Sequence, residues 1–195
     1  QEWGLVRRRR QRRPSGITVW RARSLVARHP HDVWTADFKG WFRLEDGTRV
    51  EPLTVRDLFS RYVLKIQLLR QQNVEECVPI FGRLFRKRGV PLVIRVDNGS
   101  PFGSKGPAGL TRLSAWWVKL GIRVEFIRPK HPEDNGAHEQ LHRVLKDETA
   151  NPPAKTMRGQ HRRTQKWIRE YNHLRPHEGI QMKRPYQLYR TNRRR

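Results

Sequence analysis

The sequence predicts an α/β sandwich, in which a mixed sheet of five strands is flanked by helices. Two observations indicate this class. Three strand-like segments come first with no helix between them, and helices then alternate with short apolar runs. Strands joined by short turns pair antiparallel, whereas strands separated by a helix add to a sheet through a crossover. The first three strands should therefore form an antiparallel meander to which the later two are added.

The meander is predicted from segments rich in aromatic and β-branched residues. These segments cover residues 32–42, 47–60 and 61–69, and a polar residue, Asp37, lies near the end of the first. Only short turns separate them, which favours antiparallel pairing between neighbours.

The remaining elements follow from a change in hydrophobic period. Apolar residues recur at helical spacing over 74–85, and Gly89 ends that helix. The apolar run 91–96 suits a buried strand, and Asp97 opens the turn that follows it. The later elements are a helix over 110–120, a strand over 122–127, a helix from Ala137 and a last helix over 158–172.

The positive charge of the chain is concentrated at its ends. The 195 residues carry a formal charge of +24, of which +8 falls on residues 1–31, +5 on 32–154 and +11 on 155–195. Cationic arms attract polyanions, and nucleic acid is the commonest such partner. The alternative is that the arginine runs are solvated tails. We expect a basic arm or linker over 1–31, a core over 32–191 and a basic tail over 192–195.

Several classes of protein are excluded by composition. No apolar run is long enough to span a membrane, and no signal-peptide pattern opens the chain. Cys77 is the single cysteine. This excludes an internal disulfide and any zinc finger that needs two thiolates, and it fits a reducing cytoplasm.

Three acidic residues occupy positions typical of a metal site. Asp37 lies on the first strand, Asp97 at the end of the fourth, and Glu139 in the first turns of the helix after the fifth. Ligands collect at strand ends in α/β sheets, and carboxylates converging there can hold the two Mg²⁺ ions used in phosphodiester chemistry. Each residue also fits a plain structural role: an exposed strand position, a turn and a helix surface respectively.

The segment HEQLH, from His138 to His142, matches the H-E-x-x-H pattern of zinc proteases. The match is weak, because no third ligand follows at the spacing of the longer zinc motif and because a charge of +24 suits a polyanion better than a peptide. We interpret the pattern as coincidence and expect His138 and His142 on the helix surface or facing DNA.

Five segments in order resemble one known family. They are VWTADFKGWF, LTVRDLFSRYVL, RGVPLVIRVDNGSPF, LGIRVEFIRPKHPEDNGAHEQLHRVLKDE and YNHLRPHEGIQMKRPYQLY. The chain resembles, from about Asp32 to Tyr189, the ribonuclease-H-like integrase catalytic core of bacterial insertion-sequence transposases, whose enzymes use two Asp and one Glu.

The resemblance carries the catalytic and metal-binding carboxylates onto Asp37, Asp97 and Glu139. It implies a Mg²⁺-dependent (or Mn²⁺-dependent) enzyme, with two ions, that cleaves phosphodiester bonds at element ends and transfers the strands into target DNA. Nucleic-acid contacts are expected at His142, Arg143 and Lys146. The resemblance further implies a homo-oligomer on DNA in the bacterial cytoplasm, associated with the nucleoid, without a small-molecule cofactor.

Two other functions stay open. The helix-turn-helix region that usually precedes this core is missing from the sequence, so the chain could be a non-catalytic DNA-binding remnant of a truncated transposase. A stand-alone nuclease of the same fold, such as a ribonuclease H or a junction resolvase, is the second. The C-terminal segment YNHLRPHEGIQMKRPYQLY argues against it, because that segment resembles transposases.

Overall fold

The computed structural model describes residues 24–38, 40–104, 106, 109–127 and 136–189. Residues 1–23 of the predicted N-terminal arm, residues 128–135 and the predicted C-terminal tail lie outside these ranges. The proposed bounds of arm, core and tail therefore stay predictions.

The described chain contains six strands and five helices. The strands are β1 (Val33–Phe38), β2 (Phe42–Arg43), β3 (Arg49–Asp57), β4 (Val63–Leu69), β5 (Val93–Val96) and β6 (Arg123–Phe126). The helices are α1 (Val74–Arg88), α2 (Arg112–Lys119), α3 (Gly136–Thr149), α4 (Met157–His173) and α5 (Pro185–Leu188), with a short 3-10 helix at Glu178–Ile180. None of the described helices is long and apolar enough to cross a membrane.

The sheet is mixed, as predicted. β3 pairs antiparallel with β1 and β4, while β1 pairs in parallel with β5, and β5 with β6. The pairings give the order β4-β3-β1-β5-β6, so the meander sits on one side of β1 and the crossover strands on the other. The predicted fold class, an antiparallel meander with parallel additions, is confirmed.

The first predicted strand, 32–42, is divided in the structure. β1 ends at Phe38, which pairs with Leu53, and β2 continues antiparallel to β3 from Phe42, which pairs with Val50. The register shifts by one residue between these pairs, as it does at a β-bulge. Gly40 lies in the bulge with φ 86°, a backbone conformation that glycine adopts without a steric cost.

Helix ends follow local sequence signals. The side chain of Asn73 accepts a hydrogen bond from the backbone N–H of Glu76 at the start of α1, and Gly89 ends that helix with φ 81°. Thr111 and Ser114 form a capping box at the start of α2. These contacts satisfy backbone groups that a helix leaves unpaired at its termini.

The two faces of the sheet carry different layers. α1 and α2 cover one face with the main apolar cluster, which includes Trp34, Phe81 and Trp117, all fully buried. α3 and α4 cover part of the other face through a smaller cluster of six buried residues. They are Val63, Ile66, Leu141, Leu145, Trp167 and Tyr171. The helical spacing of Leu141 and Leu145 in the sequence predicts an apolar face on α3, and the burial of both residues confirms it.

Candidate active site

Asp37 and Asp97 occupy neighbouring positions on adjacent parallel strands. The register of β1 and β5 pairs Thr35 with Arg95. Extended by two residues, it places Asp97, which directly follows β5, beside Asp37. On the other side of β1, Asp37 pairs with Thr54 of β3. Since neighbouring strands lie about 4.8 Å apart, the two carboxylates share one end of the sheet.

Both carboxylates belong to the face that α3 covers. Trp34 and Ala36 of β1 point into the main apolar cluster, as does Val96 of β5. Because successive side chains on a strand alternate between faces, Asp37 and Asp97 point to the opposite face. Asp37 is half-buried there and Asp97 is exposed.

A chain of hydrogen bonds joins α3 to the strand that carries Asp37. The hydroxyl of Thr54 donates to the backbone carbonyl of Asp37 at 3.0 Å and lies 2.8 Å from Nε2 of His142. The single hydroxyl hydrogen is used on Asp37, so the His142 Nε2–H must donate to Thr54. Glu139 lies one helical turn before His142 and is exposed. The three predicted carboxylates thus lie on β1, directly after β5, and on α3. β1 pairs with β5, and Thr54 of β3 joins β1 to α3.

The described residues contain no group of three His, Cys, Asp or Glu side chains positioned to hold a metal ion. The strand register brings Asp37 and Asp97 to neighbouring positions. Glu139 does not complete a three-ligand group with them. The donor set still suits a hard cation, because Mg²⁺ prefers carboxylate oxygens. Partial desolvation raises the pKa of Asp97, against a hydrogen bond from the Gly99 N–H that lowers it, and a bound cation would remove the cost of holding this charge.

The residues predicted to contact nucleic acid divide into two kinds. Arg143 and Lys146 are exposed and lie with Glu139 along one side of α3, at spacings of four and three residues. His142 is half-buried and bonded to Thr54. Arg143 and Lys146 are thus accessible to a polyanion, and His142 contributes a bond between α3 and the sheet.

The expectation that His138 lies on the helix surface is wrong. His138 is 1% exposed, with its ring 5.2 Å from that of His142. Burial lowers its pKa well below the usual range, and the nearby Arg56 and His142 lower it further. A zinc site would put a second positive charge beside Arg56, while His142 Nε2 is already bonded to Thr54. The geometry disfavours the zinc interpretation of HEQLH, because its two histidines serve the packing of α3.

A row of basic residues lies next to the carboxylates on the same face. Thr35 of β1 pairs with Arg56 of β3 on one side and with Arg95 of β5 on the other. This row is two residues from that of Asp37, or about 7 Å along the strands. Arg56 is 1% exposed, and burial lowers its pKa to about 10. Neither arginine is among the predicted site residues, although an arginine within an apolar strand such as VIRV is itself a signal of a polar inner face.

The strand order β4-β3-β1-β5-β6, in which an antiparallel meander is followed by two parallel strands, is that of a ribonuclease-H-like α/β protein. Two family models match the sequence, both described as integrase core domain, one over residues 27–132 and the other over 120–185. The first covers more than half of the chain. The chain belongs to the integrase core domain family.

The curated relatives come from bacterial insertion elements. The chain is 29% identical over 181 residues to the uncharacterized 31.7 kDa protein of insertion element IS407 from Burkholderia multivorans, covering 92% of this chain and 62% of that protein. It is 30% identical over 194 residues to the uncharacterized 39.2 kDa protein of IS476 from Xanthomonas euvesicatoria, covering 97% of this chain and 53% of that protein. The chain thus spans little more than half the length of these relatives.

Solved structures share the fold. The HTLV-2 integrase catalytic core domain in complex with magnesium superposes with a TM-score of 0.64 at 17% identity, over 85% of this chain and 100% of that one. The simian T-cell lymphotropic virus intasome, in complex with PP2A regulatory subunit B56 gamma, gives 0.66 at 21% identity over 92% of this chain and 59% of that one. The predicted resemblance to an integrase core is confirmed in fold and in family.

Proposed function

We propose that this chain is the catalytic core of a DNA transposase, which cleaves phosphodiester bonds in a Mg²⁺-dependent reaction and transfers the strands into target DNA. The observation that supports this most directly is the shared register of Asp37 and Asp97 on adjacent parallel strands, in a chain of the integrase core domain family. Sheet edges of this kind collect ligands in α/β proteins.

Asp37, Asp97 and Glu139 are proposed as both the catalytic residues and the metal ligands. Magnesium or manganese ions, two in the proposed site, would activate a hydroxyl and stabilise the leaving oxygen when bound there. Thr54 and His142 hold β1 and α3 together, so they fix the distance between Asp37 and Glu139. Arg143 and Lys146 would bind backbone phosphates on the exposed side of α3.

The test is nicking of supercoiled plasmid with Mg²⁺, with EDTA as the metal-free control. Asp97→Asn and Glu139→Gln should each abolish nicking, because an amide replaces a charged ligand without changing the shape of the side chain. Asp147→Asn is the matched control, since Asp147 is an exposed acid on the same helix as Glu139. Nicking by either active-site variant at the wild-type rate would refute the assignment.

A second candidate function is DNA binding without catalysis, as a remnant of a longer transposase. It is favoured by the lack of a ready three-ligand metal group among the described residues. The plasmid assay separates the two: a remnant would shift DNA on a gel but leave wild-type protein and Glu139→Gln equally inactive with Mg²⁺ or Mn²⁺.

The proposed partners are element-end DNA, target DNA and further copies of this chain, in the bacterial cytoplasm. Support for oligomers comes from the HTLV-2 core, which was solved in trimeric and dimeric forms, and from the viral intasome. Residues 1–31 and 192–195 are proposed as basic arms around the core at 32–191. Light scattering with and without DNA would detect the assembly.

A further inference from the structure

A cavity of about 650 Å³ opens on the same face as Asp37 and Asp97. Its walls are the N-terminal segment 24–27, the turn between β3 and β4, and the stretch from Gly179 to Lys183, and Arg56 and Arg95 of the basic row also line it. The segment YNHLRPHEGIQMKRPYQLY, which the catalytic proposal leaves without a role, therefore supplies one wall of this cavity.

The lining of the cavity is cationic. Arg56, Arg61, Arg95 and Lys183 line it, and no carboxylate is among its described lining residues. The charge of Arg95 is partly neutralised by Glu125, which does not line the cavity. The Arg95 guanidinium donates hydrogen bonds to the Glu125 carboxylate at 2.9 and 3.1 Å. The remaining cations favour an anionic ligand.

The position of the cavity relates it to the proposed cleavage site. The row of Arg56 and Arg95 lies about 7 Å along the strands from the row of Asp37 and Asp97. Phosphates follow one another at about 3.4 Å of axial rise along a stacked strand. If the scissile phosphate of a DNA strand lies at the carboxylates, the phosphate one or two nucleotides further along that DNA strand lies at the cavity.

Arg61 has a constrained position at the edge of the cavity. Its backbone φ is 61°, and its guanidinium packs so closely on Gly179 that a β-carbon at residue 179 would overlap it. The same guanidinium lies 3.5 Å from the side-chain oxygen of Gln140, which follows Glu139 on α3. The glycine thus sets where this charge lies between the cavity and α3.

We propose that this cavity binds a backbone phosphate of the DNA strand next to the phosphate that is cut, with Arg61 and Lys183 as the groups that hold it. The proposal rests on the function proposed above, because it takes the ligand to be DNA. A free phosphate has the same chemistry and would fill the same cavity, so the experiment has to separate the two.

The sharpest probe is Gly179→Ala, which displaces the Arg61 guanidinium and leaves the net charge of the protein unchanged. Gly179 has no positive φ, and the overlapping atoms are the flexible end of a side chain, so the fold should accept alanine. Gly82→Ala is the matched control, since a β-carbon there would lie at an ordinary 3.6 Å from Arg86. Lys183→Ala removes the second cation.

Affinity for a fluorescent oligonucleotide duplex is measured in EDTA over a range of salt concentrations, so the result does not depend on catalysis. Gly179→Ala should weaken binding by about 10-fold, as expected for one lost hydrogen bond to a charged group. The plot of log affinity against log salt concentration should become less steep by about one for this variant and for Lys183→Ala, because one phosphate contact is lost. Gly82→Ala should match the wild type in both measurements.

Binding by Gly179→Ala at the wild-type affinity and salt slope would overturn the proposal. Thermal unfolding shows whether the variant is folded; if it is not, Arg61→Gln serves as the second variant, with the same predicted losses. A calorimetric titration with inorganic phosphate separates the two ligands. If phosphate binds wild type but not Gly179→Ala, and DNA affinity is the same for both proteins, the cavity is assigned to free phosphate instead. If the plasmid is never nicked but the losses in DNA binding are still observed, the catalytic proposal is rejected and the cavity remains assigned to a backbone phosphate of bound DNA.

Discussion

The two faces of the sheet differ in chemistry although the same strands form both. The face toward α1 and α2 is apolar, with Trp34, Ile94 and Val124 fully buried in one cluster. The face toward α3 carries carboxylates, threonines and arginines, and bonds across strands join Thr54 to the carbonyl of Asp37 and Arg95 to Glu125. Because side chains alternate along a strand, one sequence supplies a core to one face and a candidate site to the other. Variants can therefore separate stability from chemistry.

The polar face is also stabilised by pairs that are distant in the sequence. Glu125 of β6 accepts hydrogen bonds from Arg95 of β5 and from the backbone N–H of Leu25, and the carbonyl of Leu25 accepts one from Arg95. These contacts fix the segment before β1 across the sheet. Loss of one partner on this face should therefore have local effects, whereas loss of volume on the apolar face should affect the whole fold.

The largest expected change in stability comes from the apolar face. Phe81 is fully buried and packs edge-on against Trp117 at 4.7 Å between ring centroids. Phe81→Ala should lower the free energy of unfolding by about 3–5 kcal/mol, since it loses transfer free energy and leaves a cavity. Urea unfolding at 25 °C measures this loss. Asp97→Asn, on the polar face, should stay within about 0.5 kcal/mol of wild type; equal losses for the two variants would contradict the division between faces.

Acid sensitivity is the next effect, and it belongs to the polar side. Burial lowers the pKa of His177, the cations Arg61 and Arg175 lower it further, and the resulting pKa is about 4. As the pH falls, His177 of the unfolded chain takes up a proton near its ordinary pKa of 6.5, whereas His177 of the folded chain does so only near pH 4. The stability from His177 is therefore complete above pH 6.5 and is lost as the pH falls toward about 4. On the apolar face, burial raises the pKa of Cys77 to about 12, so this thiol stays neutral throughout.

Urea unfolding of wild type and His177→Gln at pH 7.5, 6 and 5 checks this. Wild type should lose stability more steeply on acidification than the variant, since glutamine does not titrate. The buried His138 adds to the acid loss in both proteins and cancels from the difference. Parallel pH dependences would mean that His177 does not carry the effect.

The sequence predicts most of the apolar face and less of the polar one, for a physical reason. Periodicity alone indicates that Leu141 and Leu145 are buried, because an apolar residue has few alternatives to burial. His138 is misplaced by the same reasoning, since its burial depends on neighbours such as Arg56, on a strand 82 residues earlier. Arg95 likewise finds Glu125 thirty residues later. The division of the first strand at Gly40 depends on the register with β3, which local composition does not encode.

A smaller effect is expected where the polar face joins α3. Thr54→Val keeps the shape of the buried side chain but removes the hydroxyl between Asp37 and His142. The free energy of unfolding should fall by about 1–2 kcal/mol, because the half-buried carbonyl of Asp37 and ring of His142 both lose this partner. Nicking should also fall, since the carbonyl of Asp37 and the start of α3 are no longer joined. Thr164→Val is the control, because that buried hydroxyl bonds the carbonyl of Gln160 within its own helix. A nicking rate equal to that of Thr164→Val would refute a positioning role for Thr54.

The smallest effect on stability, with a measurable one on binding, is expected at the exposed side of α3. Lys146→Ala should change the free energy of unfolding by less than about 0.5 kcal/mol, because the side chain is exposed. It should lower DNA affinity and reduce the salt slope by about one, since one phosphate contact is lost. Lys119→Ala removes the same charge from the exposed end of α2, on the opposite side of the sheet. An equal loss of slope in both variants would mean that DNA responds to the net charge of +24 rather than to the face that carries the carboxylates.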